Sequence, residues 1–449
     1  MSHARLPMFC DQCEQTAHTS GCVDRGVCGK SPVVESLQKI LLYALKGMAA
    51  YKAHARRLGQ TNAEVEAFIE EALFATMTNV NFDAEALLEM CLECGRMNLE
   101  VMRMLNDGHI ECFGEPAPTT VVEGLQRGPG ILVTGHDIMD LHQILEQVAA
   151  NPAAVAAGLK VYTHGELLPA HMYAKLRAHP QLAGHYGGAW QKQRREFDRF
   201  AGPIVATTNC VLIPNASNGY LGRLWTLRQT GVPGSQRVVD ADFGPVIEQA
   251  IALGSLVPEG EAEQLRETAT GHHYTAVLAQ APAILDAVRG GQLRHFFLIG
   301  GCDGAEIGRN YYSDFAQGAP QDSVIMTLGC GKYRIRDHDY GEVAGLPRLL
   351  DLGQCNDSYG ALQIAMALAD ALDCGVNDLP LTLVISWFEQ KAVAVLLTLL
   401  HLGVQGIRLG PKLPAFVHPE VLQILVDRYG IQPIGTDGRA DVEAVLAAS

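Results

Sequence analysis

The chain lacks any apolar run long enough to cross a membrane as a helix. Its longest candidate, AVAVLLTLLHLGV, is of strand or core-helix length, short of the ~20 residues a spanning helix needs. The opening, MSHARLPMFCDQC, has no basic-then-apolar profile of a secretory signal, so a cytoplasmic protein with no membrane partner is expected. Basic side chains are outnumbered, 34 Lys and Arg against 49 Asp and Glu, for a formal net charge of −15. That balance argues against nucleic acid or an anionic membrane as the main partner, since both are bound through positive charge. Charged residues make up only 18% of the chain against 48% apolar, which is globular rather than disordered composition. There is no strict internal repeat and no flavin or nicotinamide signature, so electrons for any redox chemistry must come from a separate donor protein. A chain of 449 residues has room for about three domains and sizeable cores.

Cysteine is what the chain has in quantity, with twelve. In a reducing compartment, clustered cysteines point to metal binding or catalysis rather than a disulfide scaffold. Cys10, Cys13, Cys22 and Cys28 form a C-x2-C-x8-C-x5-C run whose intervening residues (DQ, EQTAHTSG, VDRGV) are polar, small and glycine-containing. This is a loop whose four thiolates can wrap a compact inorganic core. Zinc stays open, although zinc ribbons more often show two C-x2-C pairs far apart. Iron–sulfur is favoured over zinc, and disulfides come third.

Three helical patterns follow. Ser31-Pro32 offers an N-cap and a first-turn proline for a helix stopping at Gly59, Thr61 and Glu64 offer a capping box for a second, and Asp83 opens a third that stops near Asn106-Asp107-Gly108. Short loops between them imply an antiparallel three-helix bundle. Cys91 and Cys94 are neighbours on the third helix. A redox pair is open there, but small buried hydrophobes are the favoured reading, as for Cys112 and Cys374. Residues 114–130, rich in Pro and Gly, mark a linker. Beyond it strand and helix patterns alternate: GILVTG, KVYTHGE, IVATTNC and RVVDADF as strands, with helical patterns such as HMYAKLRAH between. A softer boundary falls near 253–264, then HFFLIGG, SVIMTLG, RLLDLG, LTLVIS and GIRLG continue the alternation. The expected fold is mixed α and α/β. A cluster loop and helical bundle occupy 1–118, and two Rossmann-like α/β domains with mainly parallel sheets occupy 119–257 and 258–449.

Seven apolar runs end in a residue able to bind metal: His136, Glu166, Cys210, Cys302, Cys330, Cys355 and Glu389. In open α/β sheets, sites form beyond the carboxyl ends of the strands, where residues distant in sequence meet. Glycine beside several of them lets the chain turn sharply, and a following helix N-terminus favours thiolate. Four cysteines alone would suit an electron-transfer cluster. Added imidazole and carboxylate suit iron in a harder environment, with a position open to substrate. Taken singly, a histidine after a strand is more often structural, a cysteine there is usually core, and Glu389 could be a helix-start carboxylate favoured by the dipole. Seven occurrences of one device strengthen the joint case, but spacing fixes neither metal nor substrate.

The motifs MFCDQCEQTAHTSGC…GVCGK, TGHD, VYTHGELLPAH, HYGGAWQKQ, TTNC, FFLIGGCDGAEIGRNYY, LGCGKYR, LLDLGQCND, SWFEQKAVAVLLTLL and LGPKLPAF resemble those of the hybrid cluster protein family (prismane proteins, or hydroxylamine reductases) along almost the whole chain. The resemblance implies two iron–sulfur centres. Cys10, Cys13, Cys22 and Cys28 would hold a 4Fe–4S cluster that relays electrons. His136, Glu166, Cys210, Cys302, Cys330, Cys355 and Glu389 would hold a hybrid Fe–S–O cluster of the 4Fe–2O–2S type. Cys302, in GGCDG, would carry a persulfide, and Lys391 would be a proton donor. The implied reaction is reduction of hydroxylamine to ammonia and water. The rivals are reduction of nitric oxide to nitrous oxide, a nitric-oxide or redox sensor that modifies partner proteins, and a zinc-bound structural protein. Only about a hundred residues separate Cys28 from His136, so the chain resembles a short form without the second helical bundle of longer members. Surface left by that missing bundle could be covered by a second subunit, as in a homodimer, and the sequence leaves the oligomeric state open.

Overall fold

The computed structural model describes residues 6–448. The chain divides into two compact units, each discontinuous in sequence. One takes Met1–Gly108 and Cys374–Thr436, the other His109–Asp373 and Asp437–Ser449.

The first unit opens with the helices. Ser31 caps α1 (Pro32–Arg57), its hydroxyl accepting from the Val34 amide at 3.3 Å. Helix α2 (Ala63–Ala75) is capped by Asn62 and not through the expected Thr61/Glu64 box. The Asn62 carboxamide oxygen accepts from both Glu64 and Val65 amides, at 2.9 and 3.3 Å, and satisfies two first-turn donors at once. Asp83 caps α3 (Ala84–Phe113) as expected, but the helix runs past Asn106-Asp107-Gly108 to Phe113. Gly108 does not end it because the glycine serves packing. A Cβ there would come within 2.8 Å of the Leu58 side chain. The three helices bury Leu41, Ala44 and Met48 of α1 with Val65 and Ala72 of α2 and Leu87 and Val101 of α3. Cys91 and Cys94 lie in this core, and the Cys91 thiol donates to the Leu37 carbonyl at 3.8 Å. Burial pushes the Cys91 thiol up to about 12 and Cys94 further still. Cys112 and Cys374, read as buried from sequence, are half-buried.

The second unit carries the larger sheet. Its strands are β1 (Thr119–Glu123), β2 (Gly130–Thr134), β3 (Lys160–His164), β4 (Leu182–His185), β5 (Ile204–Ala206), β6 (Leu224–Thr226), β7 (Gln236–Arg237) and β8 (Arg266–Thr270), in the order β7-β6-β5-β2-β3-β4-β1-β8. Pairing is parallel except between β1 and β8. Strand β1 falls inside the stretch expected to be linker, because the β-branched run TTVV there suits a pleated surface. Conversely, RVVDADF supplies only Arg237 to a strand, since Asp240 and Ala241 turn the chain through left-handed φ of 50° and 55°. HMYAKLRAH is α-helical only over Ala174–Arg177. The turns before it, Gly165–Met172, are a 3-10 helix containing Pro169. Helix α4 (Ile138–Ala150) follows β2. Three further strands, β9 (His295–Gly301), β10 (Ser323–Leu328) and β13 (Leu349–Asp351), run parallel in the order β13-β10-β9, and β11 (Glu342–Val343) pairs with β12 (Leu346–Pro347) in a small hairpin. Every residue of β2 and β10 is buried, as in sheets covered on both faces.

The chain then returns to the first unit with β14 (Leu381–Ser386), β15 (Arg408–Gly410) and β16 (Gln432–Pro433), parallel to one another, and the helices Gln390–His401 and Pro419–Tyr429. The 390–401 helix lies against the bundle through two glycines. A Cβ on Gly47 would meet the Gln390 carbonyl oxygen at 2.5 Å, and one on Gly95 would meet that of Leu397 at 2.1 Å. Thr398 completes the seam, its hydroxyl donating to the Gly95 carbonyl at 2.9 Å and lying 3.0 Å from the Asn98 amide nitrogen.

Candidate metal centres

None of the twelve cysteines, all of them among the described residues, is in a disulfide. In the N-terminal loop Cys10 and Cys22 face each other across an antiparallel bridge, exchanging backbone hydrogen bonds of 3.0 and 2.9 Å. Both are buried, while Cys13 is half-buried and Cys28 exposed. The Ala17 amide donates to the Cys22 sulfur at 3.5 Å, and the buried Lys30 ammonium lies 3.7 Å from the Cys10 sulfur. Burial pushes the Cys10 thiol up and Glu35 adds to it, while the Gln12 amide and Lys30 work the other way.

The second cluster of candidates sits at strand ends of the other unit. Thr134, His164 and Ala206 are side by side on β2, β3 and β5. Two residues beyond come His136 and Glu166, and Cys210 lies four beyond. On the companion strands Ile299, Thr327 and Asp351 are in register, with Cys302, Cys330 and Cys355 three or four residues on. Among the described residues, His136, Glu166 and Cys355 present ligand atoms all within 4.8 Å of one another. The Cys330 thiol is pushed well up, first by burial and then by the neighbouring Glu166, Cys210 and Cys302. Imidazole, carboxylate and thiol thus meet at one place, with His136 and Glu166 buried and Cys355 half-buried. A cationic centre stabilises that arrangement, and the mixed donors fit iron.

Local backbone chemistry explains the convergence. Gly135 adopts φ +116°, and a Cβ there would meet the Thr207 hydroxyl at 2.3 Å, so only glycine lets β2 turn His136 inward. Thr208 holds the His136 turn and ring: its hydroxyl accepts from the His136 amide at 2.9 Å and lies 3.0 Å from Nδ1. Gln354 ties three elements together. Its carboxamide donates to the His136 carbonyl at 3.1 Å and to the Glu166 carbonyl at 2.6 Å, and the Cys355 amide donates to the Glu166 carboxylate at 3.2 Å. The Cys302 carbonyl accepts from Trp190 and Gln191, both at 3.1 Å, and the Cys210 carbonyl from Gln193. Cys210 itself takes a left-handed φ of 66°.

Beneath the ligands lies a layer of buried polar groups. Tyr333 donates to the Gly165 carbonyl at 2.7 Å and lies 3.1 Å from His185, whose other nitrogen is 3.0 Å from Thr163. Burial drives His171 down to about 4 and His185 well below its ordinary value. Burial is the strongest influence on Glu196 and raises it, but the hydrogen bond to His164 at 3.0 Å, the charge of His164, the Gly188 amide and Lys192 together leave the carboxyl lowered. Asp357 is pushed up to about 7 by burial, against the Gln354 amide and Lys332.

Glu389 and Lys391 belong to the first unit. Glu389 is the N-cap residue of the 390–401 helix and its side chain makes no capping hydrogen bond, so it stands where a helix-start carboxylate favoured by the dipole would stand. Lys391 is buried with its ammonium 5.2 Å from the centre of the Tyr51 ring. Sequence reasoning missed Thr208, Gln354, Tyr333 and Lys30. The first two adjoin ligand motifs, in TTNC and GQC, and a polar residue inside an apolar-then-ligand motif is the signal that marks them.

The family model described as Prismane/CO dehydrogenase family matches residues 8–91 and 83–441. A hydroxylamine reductase of Moorella thermoacetica is 54% identical over 439 residues, covering 98% of this chain and 100% of that one. One from Rhodospirillum rubrum is 52% identical over 400 residues, covering 89% of this chain and 71% of the relative, which is therefore the longer protein. The fold is similar to a carbon monoxide dehydrogenase from Thermococcus sp. AM4, with a TM-score of 0.79 at 16% identity over 99% of this chain and 90% of that one. Family model and end-to-end relative agree, and the chain belongs to the Prismane/CO dehydrogenase family.

Proposed function

We propose that this protein is a hydroxylamine reductase that converts hydroxylamine, two electrons and two protons to ammonia and water. The observation that carries this reading is the convergence of His136, Glu166 and Cys355 within 4.8 Å beside Cys330, in a chain that matches a hydroxylamine reductase end to end. Cys10, Cys13, Cys22 and Cys28 would hold a 4Fe–4S cluster. His136, Glu166, Cys210, Cys302, Cys330 and Cys355 would hold a hybrid Fe–S–O cluster, which supplies electrons and an open coordination position for cleaving an N–O bond. Thr208 and Gln354 orient the donors, and the apolar strands around them keep bulk water out. The half-buried Cys302, in GGCDG, is the proposed persulfide residue. The ligand role of Glu389 and the proton-donor role of Lys391 rest on the motif SWFEQK. A separate donor protein supplies the electrons.

The test is anaerobic purification, iron and acid-labile sulfide analysis, and reductant-dependent hydroxylamine turnover. About eight irons per chain are expected if each centre has four. Colourless protein that contains zinc and no sulfide refutes the proposal.

A further inference from the structure

Lys30 closes the motif GVCGK and stands one residue ahead of the α1 N-cap. Its side chain is fully buried. A buried charge is costly unless it is paired, and this one has two partners: the Glu35 carboxylate at 2.8 Å and the Cys10 sulfur at 3.7 Å. Glu35, also buried, shares its second oxygen with Lys39 at 3.2 Å, and Lys39 donates to the Phe9 carbonyl at 2.5 Å. The ammonium answers the buried Glu35 carboxylate of α1, and an apolar side chain at 30 would take that partner away. What an apolar side chain cannot do is place a cationic N–H on a sulfur of the loop.

Hydrogen bonds to cluster sulfurs and net local charge are among the factors that set iron–sulfur potentials. A positive donor on a ligand sulfur stabilises the reduced form, which carries one more negative charge. We propose that Lys30 tunes the N-terminal centre, raising its reduction potential above what the four thiolates alone would give, with Glu35 as the positioning residue that holds Lys30 there and partly opposes it. This rests on the reading that Cys10, Cys13, Cys22 and Cys28 hold an iron–sulfur cluster.

The test uses the full chain, purified anaerobically, with iron and sulfide counted before a redox titration followed by electron paramagnetic resonance. Lys30→Met is expected to make the reduction equilibrium about tenfold less favourable, ~59 mV lower for a one-electron couple. Lys30→Arg should stay near the parent. Glu35→Gln should move the midpoint upward. A salt bridge that merely staples the loop to α1 does not produce shifts of opposite sign. A parent protein with no N-terminal cluster signal defeats the reading of the four cysteines. With that signal present, an unchanged midpoint in Lys30→Met, or Lys30→Met and Glu35→Gln shifting the same way, overturns the role of Lys30. If Lys30→Met does not retain iron, Glu35→Gln decides alone: an upward shift supports the role, and no shift or a downward one overturns it.

Discussion

Replacing Gln354 with leucine isolates the scaffold of the ligand cluster from its ligands. Gln354 is almost completely buried, touches no proposed substrate position, and spans two carbonyls, those of His136 at 3.1 Å and Glu166 at 2.6 Å. Leucine is close in size, so the change removes two donors with little change in volume. Each lost hydrogen bond costs about 1 kcal/mol net, rising to ~1–3 kcal/mol where the acceptor stays buried without a replacement. The expected destabilisation is therefore ~2–4 kcal/mol. In a unit of this size that shifts the melting transition by only about 2–4 °C per 1–2 kcal/mol, too little to unfold it at room temperature. Function should suffer more than stability, because the bonds from Gln354 hold two ligand-bearing turns in register with the Cys355 amide. Hydroxylamine turnover and iron content should fall together while far-ultraviolet circular dichroism stays at the parent value. The N-terminal centre's paramagnetic signal should persist. If the Leu variant keeps parental iron and turnover, the two hydrogen bonds do not hold the cluster and the reasoning fails. Gln354→Glu, which keeps the length but loses the amide donors, should behave like leucine.

Three other outcomes follow from the same geometry. Gly95→Ala drives a methyl group into the Leu397 carbonyl and should cost about 1–3 kcal/mol or more by overpacking, read as a lower melting temperature. An unchanged melting curve would show that the seam is looser than described. Acid should destabilise the second unit before carboxylates titrate. His171 is held at about 4, below its unfolded value of about 6.5, so the unfolded chain binds the extra proton between those values. Stability is then full above about 6.5 and lost as pH falls toward 4, by up to ~3 kcal/mol for this one group. Denaturant midpoints at pH 7, 6 and 5 check it, and His171→Gln should flatten the slope. Glu389→Gln should cut hydroxylamine turnover and leave the N-terminal signal intact, whereas losing both signals assigns Glu389 to folding.

The strand ends were legible because two periodicities coincide there. A buried parallel strand has to be apolar throughout, and His136, Glu166 and Cys330 break that run abruptly after a glycine. Register did the rest, since paired strand ends bring residues two to four positions beyond them to neighbouring turns. The supporting residues were illegible for the opposite reason. Thr208 accepts from a backbone amide 72 residues away and Gln354 donates to backbone carbonyls 188 and 218 residues away, and no local pattern encodes a partner at that distance. The errors in the bundle were local competitions. Asn62 beat Thr61 as a cap because its side chain reaches two amides, and Gly108 is a contact rather than a stop. At 119–123 a short β-branched run forms a strand within a stretch whose Pro and Gly mark a linker or boundary.

The glycine seam between the bundle and the 390–401 helix also constrains the order of biosynthesis. Thr398 bonds to Gly95 across 303 residues of chain. At 5–20 residues per second, a ribosome needs about 15–60 s to make that stretch. Throughout that time the faces of α1 and α3 around Gly47 and Gly95 lie uncovered, beside a loop with four cysteines. The nascent bundle is therefore the stage at which a chaperone, or early delivery of metal to the loop, would change the yield of active protein most.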